Sequence, residues 1–499
     1  MSDVGLEKRG SRTFALSLLG VLVLAFLVHL PFLGEPFDGS LASWNGGSYM
    51  GRILRNWRKE GFLALRGQPC LSVVPGRHEN LELGYRHHPP FFPWALRAAT
   101  GLFGSDERGL RTGPAILSAL SAALVFALVA MRLPLVFAWV AALIFAAAPM
   151  TFAYGRMANP ESATLAFILL AVYGHLRHRQ GTRVAYALPV VAFALATSMD
   201  WQGGFAFLVI AALELGRPRR DWRLRRLLVL GFCGALPWLA SIGLFAWWGG
   251  EGVAAALREI VGLGQDVRNG QSRPGPEVVE WWRNQATFMR QFYGWGILGA
   301  AVLGSIGGFL KKEDRGLHLL GLLLVLPGIL NLFAFPHHAF DHEFWSYYSL
   351  AGMAILAAVG VRFVTRRNLA AGVFLFVLVL LLAAWDSREI QRERRKSRDG
   401  AAAATALMKS FVRSDDLLVT AEPMIPESFY FDCWMVDLVQ FPEQLAELVK
   451  HKKAGDMRVG RLIFCLPDVV AAVLPRLAEA LPTFGPVLRA GSNSILIIP

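Results

Sequence analysis

The 499-residue chain carries 50 Lys and Arg against 37 Asp and Glu, a formal net charge of +13, yet only 17% of its residues are charged and 54% are hydrophobic. Ordinary soluble domains hold about 25% charged residues, and disordered chains are poor in apolar side chains, so both classes are excluded and a polytopic membrane protein with a soluble part remains. Lys and Arg kept in cytoplasmic loops explain the positive excess, which therefore gives no argument for a nucleic-acid partner.

A spanning helix needs about 20 mostly apolar residues. The first is Phe14 to Phe32, behind Lys8, Arg9 and Arg12. The run is long and no small-residue cleavage site follows, so it reads as an uncleaved span rather than a signal peptide. Further spans are expected near 112–131, 134–152, 161–175, 184–199, 203–215, 227–247, 294–310, 317–335, 346–364 and 369–385, about eleven in all. With the N-terminus inside, the inner loops hold Arg132; Arg177, Arg179 and Arg183; the arginines between 217 and 226; Lys311, Lys312 and Arg315; and Arg362, Arg366 and Arg367. This is a positive-inside pattern, and it puts the large loops 33–111 and 248–293 outside. The basic run Arg388 to Arg398 then also falls outside, so either a span is miscounted or late charges weigh less than early ones.

The loop 33–111 is too long for a simple connection, and such loops are usually functional. Glu35 and Asp38 open it. Tyr49, Met50, Ile53, Leu54 and Trp57 follow at helical spacing, with Arg52, Arg55, Arg58 and Lys59 between them. That pattern predicts an amphipathic helix on the membrane surface. Pro89 and Pro90, after His87 and His88, break any helix, and Ser105, Asp106 and Glu107 are expected to start a second short helical segment. In the second large outer loop, Trp281 and Trp282 among polar residues suit membrane-surface anchoring better than sugar stacking.

After Asp386 the composition changes. Residues 386–399 read as a basic linker and 400–499 as a small α/β domain. Strands are expected at Leu417–Thr420, Arg461–Cys465 and Ser494–Ile498, and helices at Pro442–His451 and Asp468–Leu481. No glycine-rich phosphate loop occurs there. The chain has four cysteines and no CxxC pair. If the tail is outside, Cys433 and Cys465 form a disulfide or remain two free thiols.

The order of one span, an acidic outer loop, a surface helix with Tyr49, a proline element at His88-Pro89-Pro90 and a second short helix resembles the GT-C superfamily of membrane glycosyltransferases. Within it, the chain is similar to the bacterial branch of protein O-mannosyltransferases and aminoarabinose transferases. Trp44 to Tyr49 with Ile53 and Arg55-Asn56 resembles that group's surface helix. Tyr154 to Glu161 resembles its outer motif after the third span, and His342 to Tyr348 its late lipid-facing segment. The resemblance covers about residues 10–385. It implies a helical GT-C-like membrane domain over 1–385 in the bacterial inner membrane, with a periplasmic active site. The implied reaction transfers a sugar from a polyprenyl-phosphate donor to a lipid, glycan or protein acceptor. One departure matters: the family's acidic pair before the surface helix is Asn45-Gly46 here, and an amide cannot take a proton as a base. Asp38 then assumes the role, or the enzyme works differently, or the chain has lost activity.

Transfer needs a carboxylate to accept the acceptor's proton and positive charge or a metal for the leaving phosphate. The expected base is Asp38, otherwise a capping residue. Tyr49, His87, His88, Arg156, Glu161, His338, His342 and Tyr347 are the expected substrate-binding residues, with Arg156 and His342 near the donor phosphate. The bland reading pairs Arg156 with Glu161, leaves His87 and His88 in a turn, and makes Trp345, Tyr347 and Tyr348 an aromatic belt. Asp200, between two spans, orients substrate or ends a helix. The cofactor is unknown; for a divalent metal the candidates are His337, Asp341, His342 and Glu343, although sequence neighbours rarely converge on an ion without a turn. A transporter or flippase of a lipid-linked sugar is the alternative, and a catalytically inactive scaffold another. No internal repeat is visible and the spans hold almost no charge, which favours surface chemistry over passage.

Overall fold

The computed structural model describes residues 4–37, 49–71, 73, 88–181, 186–216, 218, 222–250, 252–264, 267–268, 271–272, 277–409, 412–420, 433–437, 460–467, 488–490 and 493–498. Each of the eleven apolar stretches carries a helix. In chain order these are α1 (Val4–His29, continued by a 3-10 turn Leu30–Phe32), α2 (Arg52–Glu60), α3 (Phe91–Phe103), α4 (Glu107–Ala130), α5 (Leu135–Ala147), α6 (Pro149–Tyr154), α7 (Glu161–Arg179), α8 (Ala187–Met199), a 3-10 turn Trp201–Gly204, α9 (Phe205–Leu215), α10 (Leu224–Gly249), α11 (Val253–Gly264), α12 (Val278–Leu310), α13 (Arg315–Ala334), α14 (Pro336–Asp341), a 3-10 turn Glu343–Ser349, α15 (Leu350–Thr365) and α16 (Leu369–Lys409).

Seven helices among the described residues are long and apolar enough to cross a membrane. Helices α5 and α8, of 13 residues each, and α9, of 11, are shorter. At 1.5 Å per residue the longest of these spans about 20 Å, against a hydrocarbon core of about 30 Å. The causes are local. Ala148 precedes Pro149 and is driven out of the helical region to ψ 135°, as residues before proline are, so α5 ends there and α6 starts anew. Helix α8 stops at Asp200, whose extended backbone and side chain cap the 3-10 turn that leads into α9. Because α8 and α9 are short, the Asp200 turn sits inside the bundle, where it is 1% exposed.

The core is built where helices approach closely. A Cβ on Gly304 of α12 would meet the Leu356 carbonyl of α15 at 1.8 Å, and one on Gly360 would meet the Ala300 carbonyl at 2.1 Å. Small residues that let backbones touch are the usual means of packing helices where lipid gives no hydrophobic drive. Leu16, Leu19 and Val23 of α1, Leu228, Phe232 and Leu239 of α10, and Phe374, Val377, Leu381 and Trp385 of α16 point outward, as the lipid-facing wall of a bundle must.

The amphipathic helix α2 forms as expected but does not lie on an open surface. Met50, Ile53 and Trp57 pack against Phe92, Leu96 and Leu110, while Arg52 and Arg55 on its other faces are buried too. The tail covers it: Lys59 donates to the Ser414 carbonyl at 3.1 Å, and Arg55, Lys59 and Arg52 bear electrostatically on Cys433. Asp106 caps the long helix α4 by accepting from Gly109 N–H at 2.8 Å; the short helix of this region is α3, which follows Pro90, so the expected start at Ser105 belongs to a span.

The tail strands are β3 (Leu417–Thr420), β4 (Trp434–Asp437), β5 (Leu462–Pro467), β6 (Leu488–Ala490) and β7 (Asn493–Ile498), and a hairpin of β1 (Val267–Arg268) and β2 (Gln271–Ser272) lies between α11 and α12. The tail sheet has the order β4-β3-β5-β7-β6, with β3 parallel to both neighbours and β7 antiparallel to both of its own. The expected helices at Pro442–His451 and Asp468–Leu481 lie outside the described residues. Buried Asp416 anchors the start of β3 by accepting from Arg461 at 2.7 and 3.0 Å and from Arg413 N–H at 2.7 Å. The disulfide alternative is overturned: Cys433 is free and buried. Strands β4 and β5 flank β3, so they lie about 9.6 Å apart, and Cys465 aligns with Thr420 while Cys433 precedes the residue aligned with Leu417. A disulfide needs Cα atoms within about 7 Å. Burial pushes the Cys433 thiol up to about 11.

Residues 386–399, expected as a linker, are the continuation of α16. Arg394 on this extension donates to the Ala153 carbonyl at 3.3 and 3.4 Å. The basic run and the start of the tail sheet therefore sit at the end of the bundle that carries α2.

Candidate active site

Three chain segments far apart in sequence meet at this end, on the buried carboxylate of Asp200. The His88 Nδ1 lies 2.8 Å from Asp200 Oδ1, and the Tyr348 hydroxyl donates to Oδ2 at 2.8 Å. The Gln202 side-chain amide, with its nitrogen turned to the carboxylate, lies 2.5 and 2.7 Å from the two oxygens. His88 is placed by Pro89 and Pro90, which end the loop and start α3; Tyr348 by the 3-10 turn before α15. Burial alone would push the His88 imidazole down. The charge of Asp200, its hydrogen bond and the charge of Glu161 outweigh that, and the imidazole keeps its proton above the ordinary value of 6.5.

Glu161, the first residue of α7, is buried beside this group. Asn159 donates to its Oε1 at 3.0 Å, while Oε2 has no hydrogen-bond partner among the described residues. The expected pair of Arg156 with Glu161 does not form. Arg156 instead reaches Glu35 at 3.5 Å and lies over the rings of Phe32 and Phe152. Glu35 is held from the other side, since Arg111 donates to the carbonyls of Leu33 and Glu35 and covers Phe37 at 4.3 Å. Gly155, before Arg156, admits the His29–Ser118 contact at 3.2 Å: a Cβ there would come within 2.5 Å of Ser118 Oγ.

The segment 342–348 differs from the expected aromatic belt. Tyr347 and Tyr348 are buried because the 3-10 turn directs them into the bundle, toward Ser118, Ser162 and Asp200, while the Tyr154 hydroxyl donates to Glu343. The His342 ring stacks on Phe344 at 5.4 Å. Glu343 and His342 are thus committed to different neighbours, and no group of three or more metal-capable side chains converges among the described residues. The side chains of His337, His338 and Asp341, on α14, lie outside the described residues, as do Asp38, His87 and Asn45. Tyr49 is half-buried against the α2 core. Sequence reading underrated Asp200 and Tyr348. The available signal was an acid between two short apolar runs, since ionisable groups at membrane depth are costly and usually functional.

Residues 87–243 match a family model described as dolichyl-phosphate-mannose-protein mannosyltransferase. In fold the chain is similar to ArnT from Cupriavidus metallidurans bound to undecaprenyl phosphate, with a TM-score of 0.63 at 14% identity over 99% of this chain and 98% of that one. The same protein in the apo state gives 0.62 at 14% identity, covering 98% of both chains. The Archaeoglobus fulgidus oligosaccharyltransferase in its apo form gives 0.50 at 15% identity, over 94% of this chain and 73% of that one. No curated protein sequence matches the chain. The chain shares a helical membrane fold with ArnT and with the archaeal oligosaccharyltransferase. His88, Glu161 and Asp200 fall inside the stretch that the mannosyltransferase model covers.

Proposed function

We propose that the chain is an integral membrane glycosyltransferase of the bacterial inner membrane. It moves a sugar from a polyprenyl-phosphate carrier to a lipid, glycan or protein acceptor at the periplasmic face, where both large loops and the tail lie. The observation that carries this reading is the convergence of His88, Glu161, Asp200 and Tyr348 at the α2 end of a GT-C fold. Residues 1–385 form the transfer domain and 400–499 a soluble domain, joined by the rigid helix over 386–399.

The acceptor attacks the anomeric carbon, the bond from that carbon to the phosphate oxygen breaks, and the carrier phosphate leaves. Asp38 takes the acceptor proton. The segment leading to it is fixed, with Phe37 under Arg111 and Glu35 beside Arg156. Arg156 and His342 stabilise the departing phosphate, Arg156 exchanging Glu35 for it. His88, held by Asp200, shapes the sugar site, which Tyr49, His87, Glu161, His338 and Tyr347 complete. Buried, preorganised groups of this kind act where charge develops in the transition state.

The test uses purified protein in nanodiscs with a panel of polyprenyl-phosphate sugars and a mixed acceptor extract, followed by mass spectrometry. Wild type is expected to consume one donor, and Asp38→Asn none while retaining carrier binding. Unchanged turnover in Asp38→Asn removes that residue from the mechanism. Tight carrier binding with no donor consumed by wild type would favour a transporter or scaffold.

A further inference from the structure

Arg394 lies outside the stretch to which the transfer reaction is assigned, yet its guanidinium is set against that stretch. Val379, Ala383, Ser387 and Ile390 of α16 are buried and recur every three or four residues, so they share one face of the helix. Position 394 is the next on that face, one turn beyond Ile390. The charge is therefore delivered by a helix whose inward line is already packed into the bundle.

It meets the end of α6, a helix of six residues. The last carbonyls of a helix have no partner within it, and a cation there is favoured by the helix dipole. Arg394 donates to the Ala153 carbonyl from Nη1 and Nη2, at 3.4 and 3.3 Å, while Arg156 donates to the Phe152 carbonyl beside it. Two arginines from distant segments thus grip consecutive carbonyls of one turn. The Arg394 guanidinium also lies over the Tyr154 ring at 5.9 Å. It bears electrostatically on the Tyr154 hydroxyl and on Glu343, the carboxylate to which that hydroxyl donates. Glu343 opens the 3-10 turn whose Tyr348 holds Asp200. One planar group that is always charged thus acts on both segments, the one leading to Arg156 and the one leading to Tyr348.

We infer that Arg394 is a positioning residue: by fixing the end of α6 against the Tyr154–Glu343 pair, it sets Arg156 on one side of the site and Tyr348 on the other. Its effect on turnover rests on the proposed transfer reaction; its effect on the two segments rests on geometry alone.

The experiment compares wild type, R394Q and R394K, each full-length in nanodiscs, by three measurements. Hydrogen–deuterium exchange reads the Gly155, Met157 and Asn159 amides, which donate to the Thr151, Tyr154 and Met157 carbonyls, and the Trp345 amide, which donates to the His342 carbonyl. Thermal melting reads global stability, and steady-state kinetics read the donor that wild type consumes. In R394Q these amides are expected to exchange faster, and kcat to fall roughly tenfold with the donor KM little changed, the pattern of a displaced group rather than of lost binding. R394K should recover part of both, since lysine restores the charge without the fork. A lowered melting temperature with wild-type exchange at these amides and wild-type kcat would make Arg394 a structural staple and overturn the inference. Wild type consuming no donor counts against the transfer reaction alone; the exchange comparison then decides the role of Arg394, and unchanged exchange in R394Q overturns it. Should R394Q fail to fold, Tyr154→Phe takes its place, and unchanged exchange at Trp345 in that variant overturns the inference.

Discussion

Buried carboxylates occur at both ends of the helical bundle, and they are treated in opposite ways. At the end where α15 finishes, Asp314 is gripped by Arg362 and Arg366, each at 3.2 Å. Glu214 meets Arg179, Arg223 N–H at 2.8 Å and His175 at 3.5 Å. Asp314 thus faces two arginines, which are always charged, and Glu214 one arginine and one imidazole; each ties a loop to a helix end. At the other end, Asp200 faces an imidazole and a hydroxyl, which can give up or exchange protons. Asp314 is paired with cations that stay charged, whereas Asp200 is paired with groups that exchange protons, and the proposed function assigns chemistry to the second. The residue type is the same; the partner decides.

Mutation should separate the two ends. The largest effect is expected from Asp38→Asn, with donor consumption falling to background. Asp200→Asn should lower turnover by roughly 10²-fold, the usual scale for a group that sets a proton's position, with little change in melting temperature because the amide can still meet His88 and Tyr348. Asp314→Asn should do the reverse. Breaking a buried ion pair costs about 3 kcal/mol, seen as a lowered melting temperature in detergent with turnover per folded molecule unchanged. A loss of activity without loss of stability in Asp314→Asn would sink the comparison.

Tyr348→Phe is a smaller perturbation. Removing one donor to a charged acceptor costs about 1.5 to 3 kcal/mol, and turnover should fall by a corresponding factor while Asp200 keeps its other partners. The smallest effect is that of pH. The His88 imidazole is held protonated above its ordinary value of 6.5 by Asp200 and Glu161. Its contribution to stability is therefore complete below pH 6.5 and fades as pH rises through the folded value. A melting series should show that decline in wild type and not in His88→Asn.

The helical stretches and the lipid-facing character of the chain were legible because apolar runs of spanning length are a strong signal. The resemblance carried by His88-Pro89-Pro90 and Tyr154 to Glu161 pointed to the fold that the structure shows. What remained hidden depended on neighbours distant in sequence. Periodicity placed α2 correctly, yet could not show that its arginine faces are covered by a domain some 350 residues later. The aromatic run Trp345 to Tyr348 has the composition of a belt, and only the 3-10 turn directs its tyrosines inward. Asp200 could be seen, whereas its partners His88 and Tyr348 lie 112 and 148 residues away, beyond the reach of local pattern. The position of Arg394 against Ala153 likewise needed the path of the whole chain.

Helix α16 runs unbroken from Leu369 to Lys409, and this makes the placement of the tail a matter of phase. A flexible tether would tolerate an added residue. In a continuous helix, one extra alanine near position 388 advances everything beyond it by about 1.5 Å and turns it by about 100°. Arg394 would swing away from Ala153, and Ser414 would be carried off the side of α2 that presents Lys59. Three or four added residues, close to a full turn, would restore the direction while lifting the tail by roughly 5 Å. The number of residues in this helix thus acts as a key cut to one angle.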